Sequence, residues 1–412
     1  MKKIYTLLLI SAISLGAMCQ ETWKWDSRAS NYAPVFEKGA PDSFEDFGVG
    51  FPSVLQIGQV YHMWYVGLSE TMGMNIGHAT SDDGIAWTRD PKNPVLEKGV
   101  GNAWNKDRVY LPTVLFLDGT FHMWFVGATQ NVNENLAYAT STDGSTWIQY
   151  EENPMGNIGE ISDWDAGELG SGGYYHDGEK FQSWYSASPS GNSNFEMGYA
   201  TSADGISWTR GSEVPVMENG EPGAWDYPRV QPSTVVVENG LMHIWYSGGD
   251  FTKWEIGHAS SEDGLSWEKD ANNPVVSKGE PGADQDEFVA FPSVIRDAID
   301  EKLKMWYFGS GAGFAGSIYY AEYINTTGIP GQAEDGSGIR IYPNPATQRV
   351  WITAENKDQA SLSLFTTNGQ VVYQGEFMGE RLELDVASLP RGMYILQLGE
   401  GNRMIRKKLI LH

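Results

Sequence analysis

Acidic residues recur at the start of five similar segments in this 412-residue chain. The segments open Asp46-Phe-Gly-Val-Gly-Phe-Pro-Ser-Val, Asp107-Arg-Val-Tyr-Leu-Pro-Thr-Val, Asp165-Ala-Gly-Glu-Leu-Gly-Ser-Gly-Gly-Tyr, Asp226-Tyr-Pro-Arg-Val-Gln-Pro-Ser-Thr-Val and Asp286-Glu-Phe-Val-Ala-Phe-Pro-Ser-Val. Several carboxylates in one polar funnel would suit cleavage of a glycosidic bond. One carboxyl stays protonated and donates to the leaving oxygen; another, ionised, activates water or attacks the sugar. Close carboxylates raise each other's pKa, which keeps one protonated near neutral pH. Trp104, Trp164 and Trp225 stand just before three of these openings and would stack on sugar faces. Arg108 and Arg229 follow the acidic positions of the second and fourth segments. With Glu287 they suit hydroxyl or carboxylate binding, or partnership with the acidic ring. Asp226 and Asp286 read as holders of loop backbone or as substrate contacts.

These residues need a scaffold that brings five segments to one axis, and the sequence supplies a repeat. An aromatic strand recurs around Trp64, Trp124, Trp184, Trp245 and Trp306, at intervals of 60 or 61 residues. Ser-x-Asp-Gly-x-x-Trp follows in the first four units, ending at Trp87, Trp147, Trp208 and Trp267. Each unit carries about four strands, the content of one propeller blade. Asp-Gly supplies the positive φ of a tight turn, and the Ser and Asp side chains bond its amides. Asp83, Asp143, Asp204 and Asp263 of this Asp-box pattern therefore have a structural task. His62, His122 and His243, each two residues before its Trp, read as packing. The fifth unit lacks the turn and the last strand. Asn31-Tyr-Ala-Pro-Val-Phe-Glu-Lys-Gly reads like Asn93-Pro-Val-Leu-Glu-Lys-Gly, so the N-terminal segment is expected to complete blade five. The third unit breaks the pattern, with Glu168 and a glycine-rich run in place of the Val-x-x-Pro core.

The two ends read differently. Met1-Lys-Lys, a short apolar run and Ala17-Met-Cys19 form an export signal, too short to span a bilayer, with cleavage expected after Cys19 rather than lipid attachment there. Cys19 is the only cysteine, so the mature chain has neither disulfides nor thiol chemistry. Residues 326–338 form a Gly-rich polar linker. Beyond it, short alternating runs predict a small β-sandwich over 339–412. The fold class is thus all-β: a five-bladed β-propeller over 20–325, then a small β-sandwich. The net charge is −25, and the tail from Gly338 and the signal are each +2, which leaves −29 for the middle. That disfavours nucleic acid, anionic membranes and phosphorylated substrates. A monomer is expected.

Tyr342-Pro-Asn-Pro-Ala, Thr367-Asn-Gly-Gln-Val-Val, Leu384-Asp-Val-Ala-Ser-Leu-Pro-Arg-Gly-Met-Tyr and Lys407-Lys-Leu-Ile-Leu resemble the C-terminal sorting domains of type IX secretion. The resemblance implies passage across the outer membrane, with the secretion machinery as a partner. The five repeats are similar to the five-bladed glycosidases of families 43, 32 and 62. That similarity implies catalytic Asp46 (base or nucleophile), Asp107 (pKa tuner and sugar ligand) and Glu168 (acid). A neutral poly- or oligosaccharide of arabinoside, xyloside or fructoside type is the implied substrate. No redox cofactor is required; oxygen ligands for a Ca²⁺ in the axial channel abound, but no motif demands one. The alternative is a non-catalytic propeller that binds glycan at the cell surface.

Overall fold

The computed structural model describes residues 23–26, 33–101, 103–129, 132–155, 164–165, 169–189, 194–238, 240–250, 252–279, 285–311, 315–325, 339–342, 349–354, 359–366, 371–378, 381–400 and 403–411. The export signal with Cys19, Glu168, the linker 326–338 and parts of the tail motifs lie outside them. The chain divides into two compact units, Met1–Thr326 and Thr327–His412. No described helix is long and apolar enough to cross a membrane.

The first unit is a five-bladed β-propeller. Strand β1 (Trp23–Asp26) precedes the blades. Blade one holds β2 (Gly48–Ile57), β3 (Val60–Ser69), β4 (Gly73–Ser81) and β5 (Thr88–Arg89). Blade two holds β6 (Arg108–Leu117), β7 (Thr120–Thr129), β8 (Val132–Ser141) and β9 (Ile148–Gln149). Blade three holds β10 (Leu169–His176), β11 (Phe181–Ala187), β12 (Glu196–Ser202) and β13 (Thr209–Arg210). Blade four holds β14 (Arg229–Glu238), β15 (Leu241–Gly249), β16 (Trp254–Ser261) and β17 (Glu268–Lys269). Blade five holds β18 (Phe288–Arg296), β19 (Leu303–Ser310) and β20 (Ser317–Asn325), and takes β1 as its outer strand. The first strands β2, β6, β10, β14 and β18 touch one another around the axis.

The Ser-x-Asp-Gly-x-x-Trp turn joins neighbouring blades. In blade one, Ser81 Oγ accepts from Gly84 N at 2.8 Å, and Asp83 Oδ1 accepts from the Ile85 and Ala86 amides at 2.8 Å. The Gly84 carbonyl then takes two indole donors, Trp87 of its own blade at 3.0 Å and Trp306 of blade five at 2.7 Å. Trp64, Trp124 and Trp184 likewise donate to Gly144, Gly205 and Gly264 of the next blade. Gly84 has φ +77, and a Cβ there would stand 2.7 Å from the Trp306 ring, so both backbone and space require glycine. The Ser207 and Ile206 amides hold the Asp204 carboxyl down to about 2, the state that accepts hydrogen bonds.

The ring closes through the N-terminal segment. Phe36 bridges Ile318, as Leu96 bridges Ile76 within blade one. Trp25 takes the register of the turn tryptophans: it faces Tyr323 across the β1–β20 ladder and lies edge-on to Trp245, centroids 6.0 Å apart. Trp87 meets Trp306 the same way at 6.1 Å. The Asn31–Gly39 reading located Phe36; it did not locate Trp25, which carries the tryptophan of the missing turn.

The second unit is a small sandwich of two sheets. β21 (Ile339–Tyr342), β22 (Arg349–Ala354) and β25 (Arg381–Asp385) form one; β24 (Val371–Met378), β23 (Gln359–Thr366), β26 (Gly392–Glu400) and β27 (Arg403–Leu411) form the other. Alternate residues of the two sheets, among them Val350, Ile352, Leu362, Leu364, Leu384 and Leu396, make its core.

Candidate active site at the propeller mouth

Backbone ladders fix the register of the five inner strands at their N-terminal ends. Gly48, Arg108, Leu169, Arg229 and Phe288 each pair with the end of their second strand, at Leu68, Ala128, Ala187, Gly249 and Ser310. The described residue just before the inner strand is therefore Phe47, Asp107, Pro228 or Glu287 in blades one, two, four and five; Glu168, before Leu169 in the sequence of blade three, lies outside the described residues. Asp107 and Glu287 hold this place by donating their amides to Ala128 O at 3.3 Å and Ser310 O at 3.4 Å. Phe47 does the same with Leu68 O at 3.0 Å. Asp46 and Asp286 fall one position earlier. Asp46 closes a turn onto Ser43 O, and the Asp286 carbonyl accepts from Lys278 Nζ at 3.1 Å. Asp46, Asp107, Asp286 and Glu287 are all half-buried.

Asp165 and Asp226 do not share that place. They lie further from their inner strands, are buried, and tie the entry segment to the outer strand of their own blade. Asp226 Oδ2 accepts from Lys269 Nζ at 2.7 Å, and Asp165 Oδ1 accepts from Arg210 Nη2 at 2.5 Å. Glu45 makes the same link to Arg89 Nε at 2.5 Å. Tyr185 donates its hydroxyl to Asp165 at 2.7 Å; burial first, then this carboxylate, pushes its pKa up. Asp226 is 3% exposed, so its carboxylate holds a blade together instead of meeting a substrate. The sequence could not separate these roles: the entry turns of blades one, two and four close onto Asp46, Lys106 and Tyr227, each two residues before its inner strand, but the acidic residues fall one, two or three positions before that strand.

The three entry tryptophans also serve their own blades. Trp104 covers Gly127, where an added Cβ would approach the ring to 2.1 Å, and lies 6.4 Å from Phe125. Trp164 stacks on Tyr185 at 6.2 Å, and Trp225 on Tyr246 at 5.6 Å. Phe44 of blade one does the same work over Gly67 and Gly77. The three tryptophan rings pack against the second and third strands and stay half-buried.

The two arginines share one register, and each lies over an aromatic ring. Arg108 is 5.4 Å from the Tyr110 ring centroid, and Arg229 is 4.8 Å from that of Phe195. Arg108 Nη2 also stands 3.7 Å from Glu134 Oε1, which accepts the Tyr110 hydroxyl. Both arginines are half-buried at the mouth. Glu134 and Tyr110 were not singled out in the sequence.

Below the mouth the axis narrows. Each inner strand carries a bulge, and in blades one, two and five its first residue has positive φ: Phe51 at 52°, Leu111 at 53° and Phe291 at 54°. The Phe51, Leu111 and Phe291 segments, with the Pro-Ser or Pro-Thr that follows each and with Ser233 and Thr234, line a cavity of about 30 Å³, room for roughly one water. Hydroxyls at this level join neighbouring blades. Ser53 accepts from Val114 N at 3.0 Å, Thr113 donates to Gly172 O at 3.1 Å, Thr234 donates to Pro292 O at 2.8 Å, and Ser293 accepts from Val54 N at 2.8 Å. The cavity lining holds no carboxylate, and its oxygens are hydroxyls and backbone carbonyls. Among the described residues, no group of three or more His, Cys, Asp or Glu is placed to hold a metal.

The glycine run of blade three has a packing cause. A Cβ on Gly173 would stand 2.9 Å from Val235 of blade four, and one on Gly170 would stand 2.3 Å from Ser186 Oγ. The broken pattern there thus lets β10 approach its neighbours, whatever Glu168 does.

Comparison with known proteins divides the chain in the same way. Residues 340–412 match the secretion system C-terminal sorting domain. This tail places the protein with those exported by type IX secretion to the cell surface or beyond. An uncharacterised protein of Mycobacterium tuberculosis is 23% identical over 241 residues, 56% of this chain and 77% of its own length. An endo-acting ulvan lyase of Formosa agariphila is 24% identical over 97 residues, 23% of this chain and 19% of its own. A glycosyl hydrolase from Bacteroides ovatus superposes with a TM-score of 0.58 at 16% identity, covering 74% of this chain and 94% of that one. A thermostable family-43 glycoside hydrolase superposes with a TM-score of 0.54 at 17% identity, covering 68% and 91%. A structure from work on GH130-family glycoside hydrolases that target β-1,2 mannosidic linkages superposes at 0.57 and 16% identity, covering 75% and 95%. At such identities these likenesses establish the fold: residues up to Thr326 form a propeller of the type found in glycoside hydrolases.

Proposed function

We propose that the propeller is a glycosidase that cleaves a neutral poly- or oligosaccharide outside the cell, by paired-carboxylate catalysis at the mouth. Arabinosides, xylosides and fructosides are the substrate class of choice. The observation that carries this reading is the register of the mouth. Asp107 and Glu287 immediately precede the inner strands of blades two and five, and Glu168 precedes Leu169 in the sequence of blade three, whereas Glu45, Asp165 and Asp226 are committed to outer strands. Acidic residues at the entrances of several inner strands would offer both an acid and a base to a bond held between them. In this proposal Glu168 is the acid, Asp46 the base or nucleophile, and Asp107 the carboxylate that tunes the acid and binds the sugar. Arg108, Arg229, Asp286 and Glu287 supply hydroxyl contacts around them.

The test is sugar release by the mature full-length protein from plant, algal and fungal glycans, beside the Glu168→Gln variant. Removal of a general acid is expected to lower turnover by about 10²- to 10⁴-fold with the melting temperature unchanged. Glycan binding without release in the wild-type protein would instead support the non-catalytic reading. Release that persists in Glu168→Gln would remove the acid from blade three.

A further inference from the structure

The segments that enter the blades carry a repeat of their own. Phe36, Leu96, Met217 and Val276 each bridge the third strand of the preceding blade, and the residue two further on is Lys38, Lys98, Asn219 or Lys278. Among the described residues, two of these side chains reach forward to the mouth. Lys98 Nζ donates to the Lys106 carbonyl at 2.9 Å, and Lys278 Nζ donates to the Asp286 carbonyl at 3.1 Å. Lys38 is exposed and makes no such bond to Asp46, and Asn219 has no ammonium to offer.

Those two carbonyls belong to the peptides that carry Asp107 and Glu287. The N–H of the same peptides is already taken, by Ala128 O at 3.3 Å for Asp107 and by Ser310 O at 3.4 Å for Glu287. Each peptide is thus tied at both ends, its N–H to the second strand of its own blade and its C=O to a lysine of the entering segment. The next carbonyl is confined as well. Glu287 O accepts from Trp254 N at 3.1 Å, and a Cβ on Gly73, which has φ +73, would run into Asp107 O. The lysines are fixed in turn. Lys98 N donates to Asn75 Oδ1 at 2.9 Å and Lys278 N to Glu255 Oε1 at 3.3 Å, and both lysines are half-buried. Blades one and four, whose inner strands follow Phe47 and Pro228, have no acid at this place and no lysine bond. Clamp and carboxylate therefore occur together. Holding a lysine costs about as much rotamer freedom as one hydrogen bond returns, so the bond adds little stability and its effect falls on the peptide it holds.

We infer that Lys98 and Lys278 are positioning residues, each pinning the peptide that sets where a mouth carboxylate, Asp107 or Glu287, meets the sugar. This rests on the glycosidase reading above. Site groups must be held to within about 0.5 Å of the productive geometry, and a misplacement of about 1 Å costs up to about 100-fold. Lys98→Met keeps the stem and removes the donor. In the mature full-length protein it should lower kcat/KM by about 10- to 100-fold with the melting temperature unchanged. Lys38→Met, the same change where no bond is made, should leave turnover as it is.

The deciding measurement is a double-mutant cycle with Asp107→Asn, because a lysine that acts through Asp107 has nothing left to position once that carboxylate is gone. The double variant should match Asp107→Asn alone to within about twofold. Lys278→Met with Glu287→Gln repeats the cycle in blade five, and serves where Lys98→Met does not fold. Losses that multiply in both cycles, or folded lysine variants with unchanged turnover, overturn the inference while a hydrolysing wild type stands. If the wild type binds glycan without cleaving it, the same cycles are read in affinity electrophoresis: coupling there keeps the inference and removes the hydrolase, and independence removes both. A wild-type protein that neither binds nor cleaves any glycan also removes both.

Discussion

A carboxylate near the mouth is defined by what answers its charge. Asp226 is buried against Lys269 Nζ at 2.7 Å and spans from the entry segment to the outer strand. Removing one partner of such a buried pair leaves the other uncompensated, so Asp226→Asn should cost about 3 kcal/mol in urea unfolding. Its activity per folded molecule should not change. Loss of activity without loss of stability would return Asp226 to the substrate. The histidines make a separate residue-scale prediction. Burial, and then the neighbouring histidine, holds His62 and His243 at about 4, against 6.5 in the unfolded chain. Between those values the unfolded state binds more protons, so their contribution is complete above about pH 6.5 and lost as pH falls towards 4. Asp204 and Asp297, held at about 2, act in a lower window, from about pH 4 downwards. Thermal midpoints should fall between pH 6.5 and 4, and His62→Gln with His243→Gln should flatten that slope; a slope unchanged in the double variant would refute the assignment. Residue types at the mouth were legible in the sequence, but their registers were not. Asp107 and Asp226 look alike in one dimension because each precedes a Val-containing strand by a few residues. A difference of two positions sends one to the mouth and the other into the blade.

At the scale of the element, the repeat was legible wherever side chain and backbone demands coincide. Asp-Gly, the preceding Ser and the following Trp are each fixed by a hydrogen bond or a φ value, and so they repeat letter for letter. Trp25 escaped notice because its partners are supplied differently. Its segment has no Ser-x-Asp-Gly turn, so only the ladder with Tyr323 and the edge-on contact with Trp245 reveal its place. Trp25→Ala should destabilise the propeller by about 2–3 kcal/mol, less than the 3–5 of a fully buried tryptophan because Trp25 is half-buried. The variant tests closure as well as packing. If β1 seals blade five, hydrogen exchange in β20 should rise more than in the inner strand β2. Equal protection in both strands would mean that closure rests on the Phe36–Ile318 bridge instead.

For the whole molecule, charge and sequence divide the labour between two units. The middle of the chain carries nearly all the negative charge, while the tail from Gly338 is +2. Every mouth residue discussed lies within Met1–Thr326, and the sorting-domain match lies within Thr327–His412. Among the described residues the second unit has a core of Val350, Ile352, Leu362, Leu364 and Leu396, and the propeller has cores of its own. Removing the tail should therefore separate export from chemistry. A chain ending at Gly338, expressed in a host with type IX secretion, should accumulate in the periplasm, while the full chain reaches the surface or the medium. Purified from there, it should melt as the propeller of the full chain does and act on the same glycans with the same KM and kcat. Secretion of the shortened chain would show that the propeller carries its own export signal across the outer membrane. A secretion defect joined to a loss of glycan affinity would mean that the tail also serves the site, and the division of labour between the two units would fail.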